Sequence, residues 1–84
     1  MSEADKMFEE LGYKKTCDDC LTIDYQKIET LGNGTKISTE VRFYVRDEML
    51  KLTVYNYEIG PINFICGMQE LKAINKKCEE LGCI

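Results

Sequence analysis

Apolar residues recur with two different spacings along the chain, and the change of spacing marks the predicted helices and strands. Near the beginning, a spacing of three and four residues is typical of one face of an amphipathic helix. The residues on this stripe are Ala4, Met7, Phe8 and Leu11. The pattern predicts a helix over residues 2–11, which Ser2 caps and Gly12 ends, with Tyr13 folded back on the last turn.

A first strand is predicted over residues 21–31, where apolar and polar residues alternate. Ile28 breaks this alternation. Either the strand therefore ends near Gln26, or a bulge at Gln26 and Lys27 exchanges its two faces. The Gly-Asn-Gly segment at 32–34 then predicts a hairpin turn.

The second predicted strand, residues 35–46, has the clearest alternation in the chain. Its first face carries Ile37, Thr39, Val41, Phe43 and Val45. A two-residue turn at Asp47 and Glu48 would lead into a third strand over residues 49–58 and would fix the register between the two strands. The predicted partners are Val45 with Leu50, Phe43 with Leu52 and Val41 with Val54 on one face, and Tyr44 with Lys51, Arg42 with Thr53 and Glu40 with Tyr55 on the other.

The last part of the chain predicts a short extended segment and a second helix. Gly60 and Pro61 are expected to end the third strand, and residues 62–66 form either a fourth strand or an extended segment that plugs the core. The helix is predicted over residues 68–81 and ends at Gly82. Its apolar stripe is Met68, Leu71, Ile74, Cys78 and Leu81. Both helices end in Glu-Glu-Leu-Gly, which we attribute to a shared type of C-terminal cap.

Together these elements predict a single α+β domain over residues 1–84. An N-terminal helix, a three- or four-stranded antiparallel meander sheet and a C-terminal helix follow one another along the chain. Because the strands have only one apolar face, both helices should cover that face and leave the other face open.

Charge and composition exclude several classes of function. The chain has 11 Lys and Arg against 15 Asp and Glu, a net charge of −4, and no long block of like charge. Broad affinity for nucleic acid or membrane surfaces needs clustered cations, so nucleic acid is a disfavoured partner and no membrane partner is expected. No apolar run reaches the roughly 18 residues of a membrane span, and the N-terminus is too polar for a signal peptide. A soluble cytoplasmic protein is therefore expected.

The chain contains no histidine, which removes the commonest general base and the commonest metal ligand. It also lacks the phosphate-binding and nucleophile motifs of familiar enzyme classes. We therefore predict a protein that is not an enzyme and that needs no cofactor.

Five cysteines are present, and an odd number without a signal peptide favours free thiols. Cys17 and Cys20 form a Cys-x-x-Cys motif, but the two aspartates between them should raise their pKa rather than activate them. Zinc would need further ligands, such as Cys78 and Cys83, whose spacing is loose for such a site. A thiolate zinc or redox protein is therefore kept only as an alternative.

The polar face of the predicted hairpin is the most informative surface, because it combines tyrosines and cations within an acidic protein. The residues predicted to bind a partner there are Arg42, Tyr44, Arg46, Lys51, Tyr55 and Tyr57. Tyrosine and arginine anchor many protein interfaces, whereas tyrosine also favours strands for stability alone. A sheet with exposed aromatic rings can also stack single-stranded bases, which gives a nucleic-acid-binding accessory protein as the alternative.

Segments 7–15 and 68–82 resemble the two ends of small uncharacterised proteins that phages and prophages of Firmicutes encode. This resemblance covers the terminal helices and implies an accessory protein that acts in the cytoplasm of a bacterial host. In that family the last glycine is often followed by Trp, whereas Cys83 stands at that position here. The family implies no activity. Its phage origin suggests a host or phage protein as the partner, with an inhibitor of host defence as one form, and the same face could also pair two copies as a homodimer.

Overall fold

Two helices and five strands follow each other in the computed structural model, which describes residues 2–19, 21–63 and 66–83. The elements are α1 (Glu3–Glu10), β1 (Lys14–Asp18), β2 (Thr22–Thr30), β3 (Lys36–Tyr44), β4 (Met49–Asn56), β5 (Gly60–Ile62) and α2 (Met68–Glu80). The strands form one antiparallel sheet in the order β1-β2-β3-β4-β5. The predicted α+β meander is therefore confirmed, with more strands than the three or four expected.

Both helices cover the same sheet face, as the alternation predicted. The core consists of Phe8, Tyr13, Ile23, Tyr25, Val41, Phe43, Ala73 and Ile74. Phe8 of α1 stacks on Tyr25 of β2 with 4.0 Å between ring centroids, and Phe43 meets both rings edge-on. Because aromatic residues bury more area than other side chains, this cluster supplies a large share of the hydrophobic stabilisation.

Strand β1 was not predicted from the sequence, because its residues lack any apolar alternation. Its residues are exposed except for the half-buried Cys17, which is typical of a polar edge strand. A bulge between Lys15 and Cys17 shifts its register against β2.

Both expectations for Ile28 are wrong. Strand β2 continues to Thr30, and Ile28 pairs with Ser38 in an unbroken register. The Ile28 side chain simply projects from the face away from the helices and is 55% exposed. One exposed apolar residue costs too little to bend a strand that is paired along its whole length.

The predicted register of β3 against β4 is wrong by two residues. Phe43 pairs with Leu50 and Val41 with Leu52, because the connection is a four-residue loop over 45–48 rather than a two-residue turn. A two-residue turn of type I′ would need positive φ at both central residues, whereas here only Glu48 has a positive φ, of 52°. A shift of two keeps each side chain on its predicted face, since the side-chain period of a strand is two.

The predicted end of the third strand is also corrected. Strand β4 ends at Asn56, and Gly60 and Pro61 belong to β5, which pairs with β4. The fourth-strand alternative for residues 62–66 is thus confirmed only at Ile62, and Phe64 and Ile65 lie outside the described residues.

Helix α2 buries a different stripe from the predicted one in its first half. Met68 is 75% exposed and Leu71 is 45% exposed, whereas Ala73 and Lys77 are buried beside Ile74. The apolar pattern did not predict this rotation, because the lysine is held inside by ion pairs rather than by its hydrophobicity.

The two Glu-Glu-Leu-Gly endings form the same cap, as predicted. After α1, Gly12 has a φ of 94°, and the Tyr13 amide donates to the Phe8 carbonyl at 3.0 Å. After α2, Gly82 has a φ of 77°, and the Cys83 amide donates to the Cys78 carbonyl at 2.9 Å. Both are Schellman motifs, in which glycine takes the left-handed conformation at low cost.

A half-buried carboxylate, that of Asp5, joins the helices to the sheet. It accepts hydrogen bonds from Lys15 at 2.7 Å, from Lys77 at 3.3 Å and from the hydroxyl of Tyr25. Burial alone would raise the pKa of Asp5, but the hydrogen bonds from Lys15 and Tyr25 and the charge of Lys77 hold it well below its ordinary value. Glu80 completes the cluster by accepting the Ala4 amide at 2.9 Å.

We expect Asp5→Asn to lower the free energy of unfolding by about 2–4 kcal/mol, because it leaves the buried Lys77 ammonium short of a counter-charge. Because the folded pKa is depressed, the carboxylate stabilises the fold fully above its unfolded pKa, near 4, and progressively less as the pH falls below it. Urea denaturation at several pH values should therefore show the gap between wild type and variant closing in acid.

The control is Asp18→Asn, which removes the other carboxylate that binds Lys15, at 2.9 Å, but from a side chain that is 54% exposed. It should cost less than about 1 kcal/mol, as surface pairs do. Equal losses for the two variants would contradict the role given to Asp5.

The corrected β3–β4 register predicts that Glu48→Gly raises stability by about 0.5 kcal/mol, since glycine removes the cost of a positive φ at that position. Asp47→Gly should bring no gain. Denaturation midpoints of the two variants measure this difference. A gain of equal size from Asp47→Gly would support the two-residue turn instead.

Candidate functional site

The sheet surface away from the helices, here named the open face, carries the side chains that alternate with the core residues. From the described strands it contains Thr22, Asp24, Gln26, Ile28, Thr30, Lys36, Ser38, Glu40, Arg42, Tyr44, Met49, Lys51, Thr53 and Tyr55. Large apolar and aromatic side chains are exposed on it, with Met49 64% and Tyr55 44% accessible. The open face is therefore a mixed surface, on which exposed apolar and aromatic side chains lie around polar ones at the centre.

Four of the six predicted binding residues lie in strands on the open face: Arg42, Tyr44, Lys51 and Tyr55. Tyr57 follows β4 directly, and its amide still donates to the Lys36 carbonyl at 3.0 Å. The structure brings the rings of Tyr55 and Tyr57 to 5.7 Å in an edge-to-face pair. Arg46 is exposed in the 45–48 loop, outside the strands, so it is not part of this group.

An ion cluster that the sequence prediction did not include occupies the centre of the open face. One terminal nitrogen of Arg42, Nη2, lies 3.3 Å from Asp24 and 3.4 Å from Glu40. Asp24 is only 4% exposed, although no helix covers this side, and it accepts a hydrogen bond from Thr16 at 3.1 Å. Within the described residues, Oδ1 of Asp24 and Nε of Arg42 are buried without a hydrogen-bond partner.

Two carboxylates thus share one guanidinium group. Burial, and then the neighbouring Asp24 carboxyl, raise the pKa of Glu40 above its ordinary value, while Arg42 and Lys51 act in the opposite direction. A carboxylate with a raised pKa is less stable as an anion inside the folded protein than in water. An additional positive charge near Glu40 would relieve this cost.

A shallow depression of about 310 Å³ lies between this cluster and the tyrosine pair. It is lined by Gln26, Ser38, Glu40, Thr53, Tyr55 and Tyr57. Its floor is held in place by a hydrogen bond from the Gln26 amide to the Ser38 hydroxyl at 3.2 Å. The depression has room for a single side chain of a partner, with two aromatic rings on one side and a carboxylate on the other.

The Cys-x-x-Cys motif lies only in part within the described residues. Burial and the Asp19 carboxylate raise the pKa of the Cys17 thiol, as expected, and Cys20 lies outside the described residues. Within residues 2–19, 21–63 and 66–83, no group of three or more Cys, Asp or Glu side chains is arranged so that it could bind a metal ion. Cys78 packs instead against the hydrophobic core.

The ion cluster could have been found from the first hairpin. The Gly-Asn-Gly turn fixes the pairing of β2 with β3, and this register places Asp24 opposite Arg42 and Gln26 opposite Glu40. Opposite charges on directly opposed residues are a known cross-strand pair. The burial of Asp24 could not be predicted from a sequence pattern, because it depends on how the side chains of Thr16 and Arg42 lie over it.

Comparisons of the chain with protein-family models, curated proteins and solved structures gave no match. Among the described residues, neither helix has the length and apolar character needed to cross a membrane. The proposed function is therefore argued from the chemistry of the open face.

We expect Glu40→Gln to stabilise the fold by up to about 1 kcal/mol at neutral pH, because it removes a poorly compensated charge. Since the folded pKa is raised, the wild-type protein should gain stability as the pH falls through that pKa, and the advantage of the variant should shrink. Urea denaturation of both proteins at pH 7 and near pH 4.5 tests this expectation.

Glu58→Gln is the matched control, because Glu58 is exposed in the turn between β4 and β5. This substitution should leave the free energy of unfolding unchanged. A loss of stability in Glu40→Gln would show that its ion pair with Arg42 outweighs the cost of burial.

Proposed function

We propose that this chain is a non-enzymatic protein-binding module that docks a partner protein on the open face. The observation that carries the proposal is the exposed Tyr55–Tyr57 pair, which lies beside a pre-formed ion cluster on the side of the sheet that both helices leave uncovered. Large aromatic side chains next to arginine are the residues that contribute most energy in protein interfaces.

The tyrosine pair suits binding because its geometry is already set. The two rings contact each other edge-to-face in the free protein, so little side-chain freedom is lost when a partner covers them. Ile28 extends the apolar area near Tyr55 across the paired strands, and Met49 exposes a second apolar side chain at the opposite end of β4 on the same face. Apolar area of this kind, surrounded by polar residues, is typical of an interaction surface.

The depression favours a partner side chain with a positive charge. Glu40 is incompletely neutralised, and Tyr55 and Tyr57 supply π-faces close to it. A lysine or arginine from the partner would neutralise the carboxylate and contact the rings. Arg42 and Lys51 lie opposite each other next to Glu40, where acidic groups of the partner can meet them.

The biological setting of the proposal comes from the resemblance of the terminal helices to phage and prophage proteins. On this basis the partner is a host or phage protein in the bacterial cytoplasm, and the activity is the inhibition of a host defence system. Pairing of two copies through the open face is the arrangement that competes with this partner.

Single-stranded nucleic acid is the second candidate, because Tyr55 and Lys51 could stack a base and contact a phosphate. The Asp24 and Glu40 carboxylates at the centre of the face disfavour a polyanion. The two candidates differ in salt dependence, since phosphate contacts weaken steeply with salt and an aromatic protein interface much less.

The test is affinity capture of bacterial proteins by the immobilised chain, with quantification by mass spectrometry. The variant Tyr44→Ser/Tyr55→Ser/Tyr57→Ser should lose at least about 90% of each specific partner, given that interface tyrosines commonly contribute more than 1 kcal/mol each. Met68→Ser/Leu71→Ser is the matched control, because it removes exposed apolar side chains from α2 instead.

Glu40→Gln separates binding from folding in the same experiment. It should weaken partner capture while the fold keeps or gains stability. Retention of every partner by the triple tyrosine variant would overturn the proposal. Tight, salt-sensitive binding of a single-stranded oligonucleotide, measured by fluorescence anisotropy, would favour the second candidate, and a dimer that the triple variant breaks would favour self-association.

A further inference from the structure

A pair of thiols lies at the end of α2, on the helix-covered side of the sheet and apart from the motif at Cys17. The Schellman cap brings Cys83 back over the last turn, where its amide donates to the Cys78 carbonyl at 2.9 Å. Caps of this type frequently bring the side chains at these two positions into contact. Both thiols are half-buried and line the same small apolar cavity, of about 50 Å³.

The surroundings hold this pair in place. Cys78 packs against the hydrophobic core, and Phe43, Val45 and Leu50 line the other side of the cavity. Gly82 precedes Cys83 with a φ of 77°, a conformation that directs the chain back toward the helix. Burial, and then the charge of Cys83, raise the pKa of the Cys78 thiol.

From this geometry we infer that Cys78 and Cys83 form a dithiol site that a small-molecule disulfide oxidises to an intramolecular disulfide bond. This inference does not depend on the proposed function. The C-terminal cap holds the two thiols together before oxidation, which raises their effective concentration over that in an unfolded chain. Ring closure is then favoured by the fold and not only by the short spacing in sequence.

The reaction balances as two successive thiol–disulfide exchanges. The Cys83 thiol loses its proton to water, and its thiolate attacks one sulfur of the reagent disulfide, which breaks the reagent's S–S bond, forms a mixed disulfide and leaves the other reagent sulfur as a thiolate. The Cys78 thiol loses its proton to water, and its thiolate attacks Sγ of Cys83, which releases the second reagent thiolate. The protein loses two electrons and two protons, and the reagent disulfide becomes two thiols.

The test equilibrates the purified chain with mixtures of oxidised and reduced dithiothreitol, followed by acid quenching, alkylation and trypsin digestion. Cleavage after Lys77 releases residues 78–84 as one peptide, so the closed form is read as an unalkylated peptide lighter by two hydrogen atoms. We expect the ratio of closed to open peptide to be at least about tenfold higher in the native protein than in denaturant, as expected for a pre-organised pair. Cys66, exposed and outside the cap, should stay alkylatable under the same conditions.

Three variants make the result specific to the cap. Gly82→Ala should lower the closed fraction, because alanine strains the left-handed position, whereas Gly32→Ala has open space and no positive φ and should leave it unchanged. Cys83→Ser should leave Cys78 fully alkylatable. Equal closure in native and denatured protein, or an open pair at every ratio of reagents in the native protein, would overturn the inference.

Discussion

The fold depends on the Asp5 carboxylate, which binds groups from three separate parts of the chain. Its partners, Lys15, Tyr25 and Lys77, lie in β1, β2 and α2. Inside a protein such charge-assisted bonds are strong when complete and costly when one member is removed. The contact therefore ties both helices to one side of the sheet. The open face exists because both helices are held on the opposite side.

Much of this architecture could be predicted from the sequence, because side-chain periodicity and cap residues act locally. The stripe of α1, the alternation along β3 and the two glycine caps all specify their own conformation. Strand β1 could not be predicted, since it is held by pairing with β2 and not by an apolar pattern. The burial of Lys77 could not be predicted either, because it depends on a carboxylate 72 residues away.

The open face shows the same division between local and distant determinants. The face on which Arg42 and Tyr55 lie follows from the alternation of side chains along each strand. The two-residue error in register does not change this face, because the alternation repeats every two residues. The ion cluster and the depression depend on the true β2–β3 pairing and on the packing of side chains over Asp24. A buried charge on an uncovered sheet face reduces stability, and such costs are commonly kept where a surface has a binding role.

The most direct test of this account is the solvent accessibility of the five tyrosine rings, measured by NMR relaxation with a soluble paramagnetic gadolinium chelate. The account predicts strong broadening for Tyr55 and Tyr57, an intermediate effect for Tyr44, and almost none for Tyr13 and Tyr25, which are 3% and 1% exposed. Protection of Tyr55 and Tyr57 to the level of Tyr25 in dilute protein would show that the face is covered and would contradict the account.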